Sequence, residues 1–218
     1  MASTPRATLD LERDLWSSGR SRVAGLDEAG RGAWAGPVVA AAVILPPDIE
    51  RCRPLVGQVH DSKQLTARAR EGLVNLVHAV AVSIGVGLAS PAEIDQIGIV
   101  PATRQAMLRA LAQLDPAPDF LLVDALSLPE TSVPQRAVIR GDAISLSIAA
   151  ASIIAKVTRD RLLVSLDARY PGYGFAQNKG YGTPEHRRAL LSLGPCDVHR
   201  MSFRPLLGLQ KPLWGDVG

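Results

Sequence analysis

An uninterrupted apolar run, Val38–Leu45, constrains the fold more than any other stretch of the chain. It begins after Gly36-Pro37 and ends at Pro46-Pro47. A short apolar run between such breakers is typical of a strand that is covered on both faces. The segments between the other glycine and proline breakers alternate between strand and helix patterns. The sequence therefore predicts an α/β fold.

The apolar segment before this run ends in two adjacent carboxylates. Val23–Asp27 has the pattern of a strand, and we expect it to pair antiparallel with the strand at Val38–Leu45. Neighbouring side chains on a regular strand point to opposite faces, so Asp27 and Glu28 can share one site only where the strand is ending. Taken alone, the pair also fits a simple polar exit from a strand into a loop.

Two further predicted strands end in an acid. The short apolar strand Phe120–Asp124 ends at Asp124, and the strand predicted over Ala137–Asp142 ends at Asp142. The carboxyl ends of neighbouring strands in an open α/β sheet border one ligand crevice, so we expect all these acids to meet there. Individually, Asp124 could be an acid of a loop and Asp142 the N-cap of a helix.

Such a cluster of acids has a chemical consequence. Clustered carboxylates repel one another and raise one another's pKa values unless divalent cations neutralise them. Sites made only of oxygen ligands suit Mg²⁺ or Mn²⁺ rather than zinc. Two such ions about 3.5–4 Å apart form the clamp used in phosphodiester hydrolysis. The pattern therefore predicts a two-metal site that contains Asp27, Glu28, Asp124 and Asp142.

Helical patterns separate the strands, and a third strand is predicted over Ala79–Leu88. The predicted helices span residues 9–16, 66–78, about 90–99, 143–169 and 183–193, and a further helix begins at Pro101. We expect Asp142 to open the longest of them, because the helix dipole favours a negative charge at that end. Lys156 fits the apolar face of that helix poorly. Either it reaches the site or a phosphate, or it marks where the helix leaves the core.

Two glycine-rich segments are candidates for contact with a ligand. In Gly30-Arg31-Gly32, both glycines are positions where we expect the backbone to turn sharply or to lie close against something. In Tyr170–Thr183, aromatic rings near Lys179 could stack on a sugar or base while the cation meets a phosphate. Tyr181 is the ring that we expect to be exposed, whereas Tyr173 and Phe175 are expected to fold back as local core.

Composition restricts the class of protein. At 218 residues we expect one domain over 1–218, with an N-terminal lead-in at about 1–20 and a C-terminal helical portion and tail at about 183–218. The formal net charge of +3 is compatible with a polyanionic partner but does not identify one. No apolar stretch reaches the roughly 20 residues that span a bilayer, and the first residues lack the apolar core of a signal peptide. We therefore expect a cytoplasmic protein with no membrane contact.

The remaining metal-ligating residue types do not form a pattern. Cys52 and Cys196 are far apart and belong to no Cys-x-x-Cys pair, so neither a disulfide framework nor a zinc site is expected. His186 and His199 lack metal-ligand spacing to another His or Cys. We expect them to serve in packing or hydrogen bonding.

Six motifs that occur in order along the chain closely resemble those of the bacterial ribonuclease HII family. They are Gly25–Gly32 with Gly36-Pro37-Val38, Asp61–Leu65, Val123-Asp124-Ala125, Gly141-Asp142, Ala149–Asp160, and Asn178–Thr183 with His186. The match covers about residues 22–204, and the set is specific where any one motif alone is not. The related ribonuclease HIII carries a substantial N-terminal extension, whereas only about 22 residues precede the first strand here, which favours HII.

The resemblance implies a ribonuclease H-like fold, with a mixed β-sheet flanked by helices and a C-terminal helical portion. It implies an endoribonuclease that hydrolyses the RNA strand of RNA–DNA hybrids. The family also incises duplex DNA on the 5′ side of an embedded ribonucleotide and leaves a 3′-hydroxyl and a 5′-phosphate. The expected cofactor is Mg²⁺ or Mn²⁺, with two ions during catalysis. The expected partners are these two nucleic-acid substrates, and the chain is expected to be a monomer.

The resemblance also assigns roles to residues. The family's metal-binding acids match Asp27, Glu28, Asp124 and Asp142. The turn Gly30-Arg31-Gly32 matches the motif that reads the ribose 2′-hydroxyl and the adjoining phosphate, and Tyr181 matches the tyrosine that stacks on the following deoxyribose. Lys63 and Lys179 are expected to contact phosphates, which would position the duplex without reading its sequence.

Two other classes of protein are alternatives. Another metal-dependent nuclease or transferase of similar fold would keep the acids but would have no use for Gly30-Arg31-Gly32 together with Tyr181. Activity on all-DNA substrates would favour that class. A non-catalytic nucleic-acid-binding module would be expected to lack some of the acids, and all four are present.

Overall fold

The computed structural model describes residues 7–59 and 67–207, and over these residues the chain forms a five-stranded mixed sheet. The strands are β1 (Val23–Ala29), β2 (Val38–Ile44), β3 (Ser83–Ala89), β4 (Phe120–Asp124) and β5 (Gln135–Val138). Their spatial order is β3-β2-β1-β4-β5. The pairs β1–β2 and β2–β3 are antiparallel, whereas β4 and β5 run parallel to β1. The predicted phosphate contact Lys63 and the first residue of the helix predicted over 66–78 lie outside the described residues.

Helices cover both faces of this sheet. They are α1 (Asp10–Ser17), α2 (Ile49–Cys52), α3 (Ala67–Val80), α4 (Pro91–Ile97), α5 (Ile99–Leu111), α6 (Leu146–Arg169), α7 (Phe175–Asn178) and α8 (Pro184–Leu193). One core lies between the sheet and α3 with α6, and the other lies between the sheet and α4 with α5. Every residue of β2 is buried, as expected for a strand covered on both sides. The predicted α/β fold, a mixed sheet flanked by helices, is confirmed.

The boundary between α3 and β3 differs from the prediction. The strand predicted from Ala79 begins only at Ser83, because α3 continues to Val80. Val77 and Val80 lie three residues apart on a helix, and both are buried in the core beside α6. Helical burial of Val80 therefore outweighs the alternating pattern that made this stretch look like a strand. The helix predicted from Pro101 likewise begins two residues earlier, at Ile99.

The predicted strand over Ala137–Asp142 was wrong at its end, as was the helix start at Asp142. Strand β5 stops at Val138, Ile139 is 78% exposed, and Arg140 has a left-handed φ of 57°. A 3₁₀ turn over Gly141–Ala143 then carries Asp142, and α6 begins only at Leu146. The N-cap of α6 is Ser145, whose hydroxyl accepts a hydrogen bond from the Ile148 amide. Asp142 therefore does not cap α6 and lies in the turn beyond the strand.

A buried acid ties α1 to the start of α6. Glu12 accepts hydrogen bonds from the Ser147 amide at 2.9 Å and from the hydroxyls of Ser145 and Ser147 at 2.5 and 2.6 Å. The Glu12 side chain is fully buried. These donors and the positive end of the α6 dipole offset the cost of burying the carboxylate. The sequence carries no signal for this role of Glu12, because its partners are more than 130 residues away along the chain.

We expect Glu12→Ala to lower the free energy of unfolding by about 3 kcal/mol, because three buried donors lose a charged acceptor. Urea unfolding followed by circular dichroism measures this change. Asp14→Ala, at an exposed position of the same helix, is the matched control and should change stability little. Equal losses in the two variants would show that Glu12 does not anchor α6.

The sequence predicts no segment that spans a membrane. Within the part of the chain that the structure describes, no helix has both the length and the apolar character needed to cross a membrane.

Candidate active site

The four predicted acids meet at one edge of the sheet. Because β1, β4 and β5 are adjacent and parallel, their carboxyl ends lie side by side. Asp27 and Glu28 lie near the end of β1, Asp124 is the last residue of β4, and Asp142 lies in the turn after β5. All four line one cleft of about 630 Å³. The convergence follows from the strand order rather than from proximity in sequence.

Burial gives the first two acids unusual electrostatics. Asp27 is almost completely buried, and burial together with the neighbouring charge of Glu28 raises its pKa well above the ordinary value. A hydrogen bond from the Ser152 side chain opposes this rise. Burial also raises the pKa of Glu28, and the guanidinium of Arg31, whose Nη1 donates to Glu28 Oε1 at 3.2 Å, opposes it. Burial therefore makes the charged forms of Asp27 and Glu28 costly in the folded chain.

These groups have the chemistry of a hard-cation site. Glu28 Oε2 is buried and has no hydrogen-bond partner among the described residues. Asp124 Oδ1 accepts a hydrogen bond from the Gly141 amide at 2.7 Å, which fixes the carboxylate at the end of β4. Within residues 7–59 and 67–207, no three His, Cys, Asp or Glu side chains already surround a common point at metal-ligand distance. A cluster of carboxylate oxygens nevertheless fits Mg²⁺ or Mn²⁺, because either ion would offset the repulsion among the acids.

The turn after β1 is held from behind by two buried arginines. Gly30 has a φ of 94°, and a Cβ there would lie 1.9 Å from Arg159 Nε, so only glycine fits. Arg200 Nη1 donates to the Arg31 carbonyl at 2.9 Å. Gly32 differs from the expectation, because its φ is ordinary and nothing lies within 4 Å of a Cβ built on it. The exposed side of this turn is therefore open.

The second glycine-rich segment brings Tyr181 to the same cleft. Tyr181 is 39% exposed, whereas Tyr173 and Phe175 are buried, and these three expectations are confirmed. Gly180 has a φ of 77°, and a Cβ there would lie 2.4 Å from the Ala35 carbonyl oxygen, so the loop lies directly against the turn region. Lys179 lines the cleft beside Tyr181, and its Nζ donates to the Ala176 carbonyl.

Sequence reasoning missed the two arginines that join these segments. Arg159 donates to the carbonyls of Pro37, Lys179 and Ala35 at 3.0, 2.9 and 3.0 Å. Its Cζ lies 5.4 Å from the centre of the Tyr181 ring. Arg200 donates to the carbonyls of Gly36 and Arg31, both at 2.9 Å. An arginine within a helix or near a tail is ordinarily exposed, so the sequence carries no signal for either role.

Lys156 lies in the cleft, which agrees with the first of its two interpretations. Its Nζ donates to Asp160 Oδ1 at 2.5 Å, and Arg70 Nη2 lies 3.8 Å from Asp160 Oδ2. All three residues line the cleft together with Ser152 and Gln177. Burial lowers the pKa of Lys156, and its ion pair with Asp160 opposes that change. The lining of the cleft therefore includes cationic groups as well as acids.

Comparison with solved structures defines the class of this protein. Its fold is similar to the crystal structure of ribonuclease H2 from Pyrococcus horikoshii OT3, with a TM-score of 0.72 and 30% identity over 85% of this chain and 95% of that one. The crystal structure of Bst-RNase HIII in complex with Mn²⁺ is similar in fold, with a TM-score of 0.62 and 20% identity over 85% of this chain and 68% of that one. The mixed sheet with acids at its carboxyl edge is thus that of a ribonuclease H-like protein.

Sequence comparison narrows the class to one family. Residues 24–205 match the family model described as Ribonuclease HII. The chain is 55% identical over 199 residues to Ribonuclease HII of Chloroflexus aurantiacus, which covers 91% of this chain and 94% of that protein. It is 56% identical over 201 residues to Ribonuclease HII of Chloroflexus aggregans, which covers 92% of this chain and 95% of that protein. The chain belongs to the ribonuclease HII family and is an endoribonuclease of the ribonuclease H class (EC 3.1.26.4), which acts on RNA–DNA hybrids.

Proposed function

We propose that this chain also incises duplex DNA on the 5′ side of an embedded ribonucleotide and leaves a 3′-hydroxyl and a 5′-phosphate. The observation that carries the proposal is that Gly30, Tyr181 and the four acids line the same cleft. A site that only cut long hybrids would need the acids. A site that recognises one ribonucleotide within DNA also needs residues that recognise the ribose and residues that recognise the nucleotide that follows it.

The acids Asp27, Glu28, Asp124 and Asp142 would hold two divalent cations, Mg²⁺ or Mn²⁺. Bound ions would supply an activated water and stabilise the leaving oxygen of the phosphodiester. The chain contributes one buried carboxylate, Asp27, and three partly buried ones, and their positions are fixed by β1, β4 and the turn after β5. Glu28 Oε2 is buried and has no hydrogen-bond partner among the described residues, so a bound cation would supply the interaction that this oxygen lacks.

The turn at Gly30-Arg31-Gly32 is suited to reading the ribose. The 2′-hydroxyl is the group that distinguishes RNA from DNA at a given nucleotide, and it both donates and accepts hydrogen bonds. Because the space beyond Gly32 is open and the turn is anchored by Arg200, its backbone can meet a sugar closely without moving. Arg31 is only half-buried, and its guanidinium lies beside Glu28, within reach of the adjoining phosphate.

Tyr181 and Lys179 are suited to the nucleotide that follows. The exposed ring of Tyr181 offers a flat surface on which a deoxyribose can stack, and the ammonium of Lys179 offers a phosphate contact. Arg159 lies behind both, since it donates to the Lys179 carbonyl and faces the Tyr181 ring. Because Arg159 also lies against Gly30, the glycine turn and Tyr181 are supported by the same buried side chain.

The proposal is tested with a labelled DNA duplex that carries one ribonucleotide, beside an all-DNA duplex and a long RNA–DNA hybrid. We expect a cut immediately 5′ of the ribonucleotide with Mg²⁺ or Mn²⁺, no cut with EDTA and no cut in the all-DNA duplex. Cleavage of the long hybrid alone would refute the proposed ribonucleotide incision. Cleavage of the all-DNA duplex would favour a nuclease with another substrate.

Tyr181→Ala should reduce cleavage at a single ribonucleotide about tenfold more than cleavage of a uniform hybrid, because one stacking contact with the DNA side is lost. Single-turnover rates on the two substrates give this ratio. Tyr181→Phe is the matched control, since it keeps the ring and should keep the ratio. A loss of the same size on both substrates would argue against junction reading by Tyr181.

A further inference from the structure

Two buried histidines outside the cleft lie in line with the carbonyl of Tyr181. His186 Nδ1 lies 2.9 Å from the Tyr181 carbonyl oxygen, and His186 Nε2 lies 3.0 Å from His199 Nε2. On the far side of His199, its Nδ1 accepts from the Cys196 amide at 3.0 Å and lies 3.1 Å from the Cys196 thiol. We call this chain of hydrogen bonds, Cys196–His199–His186–Tyr181, the histidine relay.

The partners at the two ends determine where the protons are. A carbonyl oxygen can only accept, so His186 Nδ1 must donate to Tyr181, and Nε2 of the neutral ring is then an acceptor. At the other end the Cys196 amide can only donate, so His199 Nδ1 is the acceptor and its Nε2 carries the hydrogen. The two assignments are independent, and they meet correctly, with one donor and one acceptor across the 3.0 Å contact.

The alternative arrangement leaves a conflict. His199 Nδ1 also lies 3.3 Å from the Cys196 carbonyl, and it could donate there instead. His199 Nε2 would then be an acceptor facing the acceptor Nε2 of His186, and the Cys196 amide would lose its partner. The longer distance and the mismatch both favour the first arrangement.

The surroundings of the relay favour neutral rings. Both histidines are buried, with Phe175 and Tyr173 among the rings against them. Burial lowers the pKa of His186, and the bond to the Tyr181 carbonyl opposes that change. An added proton on His186 would place two N–H groups against each other across the Nε2–Nε2 contact. An added proton on His199 would instead place its Nδ1–H against the Cys196 amide N–H. The relay therefore has one arrangement of hydrogens that satisfies every group.

The His199 end of the relay is connected to the glycine turn at Gly30-Arg31-Gly32. His199 forms a bridge of extended backbone with Ala35, and the amide of the next residue, Arg200, donates to the Trp34 carbonyl at 2.8 Å. Arg200 in turn holds the Arg31 carbonyl of the glycine turn. Hydrogen bonds, together with the peptide bond between His199 and Arg200, thus connect the glycine turn to the backbone of Tyr181.

We propose that His186 and His199 are positioning residues that fix the spacing between the glycine turn and Tyr181, and so determine the preference of the enzyme for an RNA-to-DNA junction. The inference rests on the proposed junction-reading role of Tyr181. Neither histidine touches the substrate or the reacting atoms. Their effect passes through the Tyr181 carbonyl.

Two substitutions of His186 separate the hydrogen bond from packing. In His186→Asn, the side-chain amide nitrogen takes the place of Nδ1 and can still donate to the Tyr181 carbonyl. In His186→Gln, the longer side chain places its amide near the former Nε2 instead, so that this donor is lost. His78→Gln, at an exposed position of α3, is the matched control.

The readout is the ratio of single-turnover rates on a duplex with one ribonucleotide and on a uniform hybrid. We expect His186→Gln to lower this ratio about tenfold, which is the size of effect that the loss of one buried hydrogen bond allows. When Tyr181→Ala is already present, adding His186→Gln should lower the ratio no further. His186→Asn should restore most of the ratio, and His78→Gln should leave it unchanged. If Tyr181→Ala lowers the ratio but His186→Gln reduces both rates equally or neither, the relay proposal is overturned and the proposed function stands.

A second measurement does not depend on activity or on the folding of a variant. Long-range ¹H–¹⁵N correlation spectra of the wild-type protein near pH 7 report which ring nitrogen of each histidine carries hydrogen. We expect hydrogen on Nδ1 of His186 and on Nε2 of His199. Any other pattern overturns the relay. If Tyr181→Ala itself leaves the ratio unchanged, junction reading by Tyr181 fails, and the relay is rejected as a determinant of specificity even where the spectra show the expected hydrogens.

Discussion

Asp124→Asn is expected to reduce the cleavage rate about 10³-fold or more, because it removes one of the carboxylates proposed to hold the catalytic cations. The substitution keeps the shape of the side chain. Its remaining oxygen can still accept from the Gly141 amide, the contact that Asp124 Oδ1 makes at 2.7 Å. The fold at the end of β4 should therefore persist while the charge is lost.

Binding of a hybrid should be unchanged or slightly tighter in Asp124→Asn, since the variant has one negative charge fewer in a cleft that receives a polyanion. Single-turnover cleavage with Mg²⁺ measures the first effect, and fluorescence anisotropy of a labelled hybrid with EDTA measures the second. Asp167→Asn, in the C-terminal half of α6 and away from the cleft, is the control for charge alone. Near-normal turnover in Asp124→Asn would remove this residue from the proposed metal site.

Arg159→Met is expected to lower both stability and cleavage. Three carbonyl oxygens, those of Pro37, Lys179 and Ala35, would lose their donor, while the cost of burying the guanidinium would disappear. The first effect is the larger, because each unsatisfied buried carbonyl costs about 1–3 kcal/mol. We expect a net loss of about 3 kcal/mol in the free energy of unfolding.

The same substitution should reduce cleavage of both substrates about 10²-fold, since small displacements of substrate-positioning groups have effects of that size. Arg159 supports Gly30 on one side and Tyr181 on the other, so both would shift. Urea unfolding and single-turnover rates provide the two measurements. Arg13→Met, at an exposed position of α1, is the matched control. A variant as stable and active as the control would show that Arg159 supports neither segment.

The sequence predicted the features that depend on local pattern. Uninterrupted apolar runs identified the central strands, and acids at or beyond the ends of three predicted strands identified the edge at which Asp27, Asp124 and Asp142 meet. The glycines beside Tyr181 indicated an exposed ring. The assignment to the ribonuclease HII family is confirmed by the comparisons, whereas the individual roles of the site residues stay predictions.

What the sequence did not predict depends on distant partners. Glu12, Arg159 and Arg200 are charged residues whose burial is possible only because donors or acceptors from remote segments surround them. Their local sequence is that of exposed positions. The start of α6 was misplaced for a related reason, because Ser145 rather than Asp142 supplies the cap once β5 has ended early.

The two buried arginines also affect how a nucleic acid approaches. Among the described residues, the hydrogen bonds of Arg159 and Arg200 go to carbonyl groups, while the nearby charges of Asp160 and Asp95 act on the two guanidinium groups without a hydrogen bond to them. Burial lowers the pKa of Arg200 to about 9, which leaves the group protonated at neutral pH. Mobile ions screen charges inside a protein less than charges at its surface. The attraction of Arg159 and Arg200 for a phosphodiester strand should therefore persist in part at salt concentrations that suppress contacts with surface lysines.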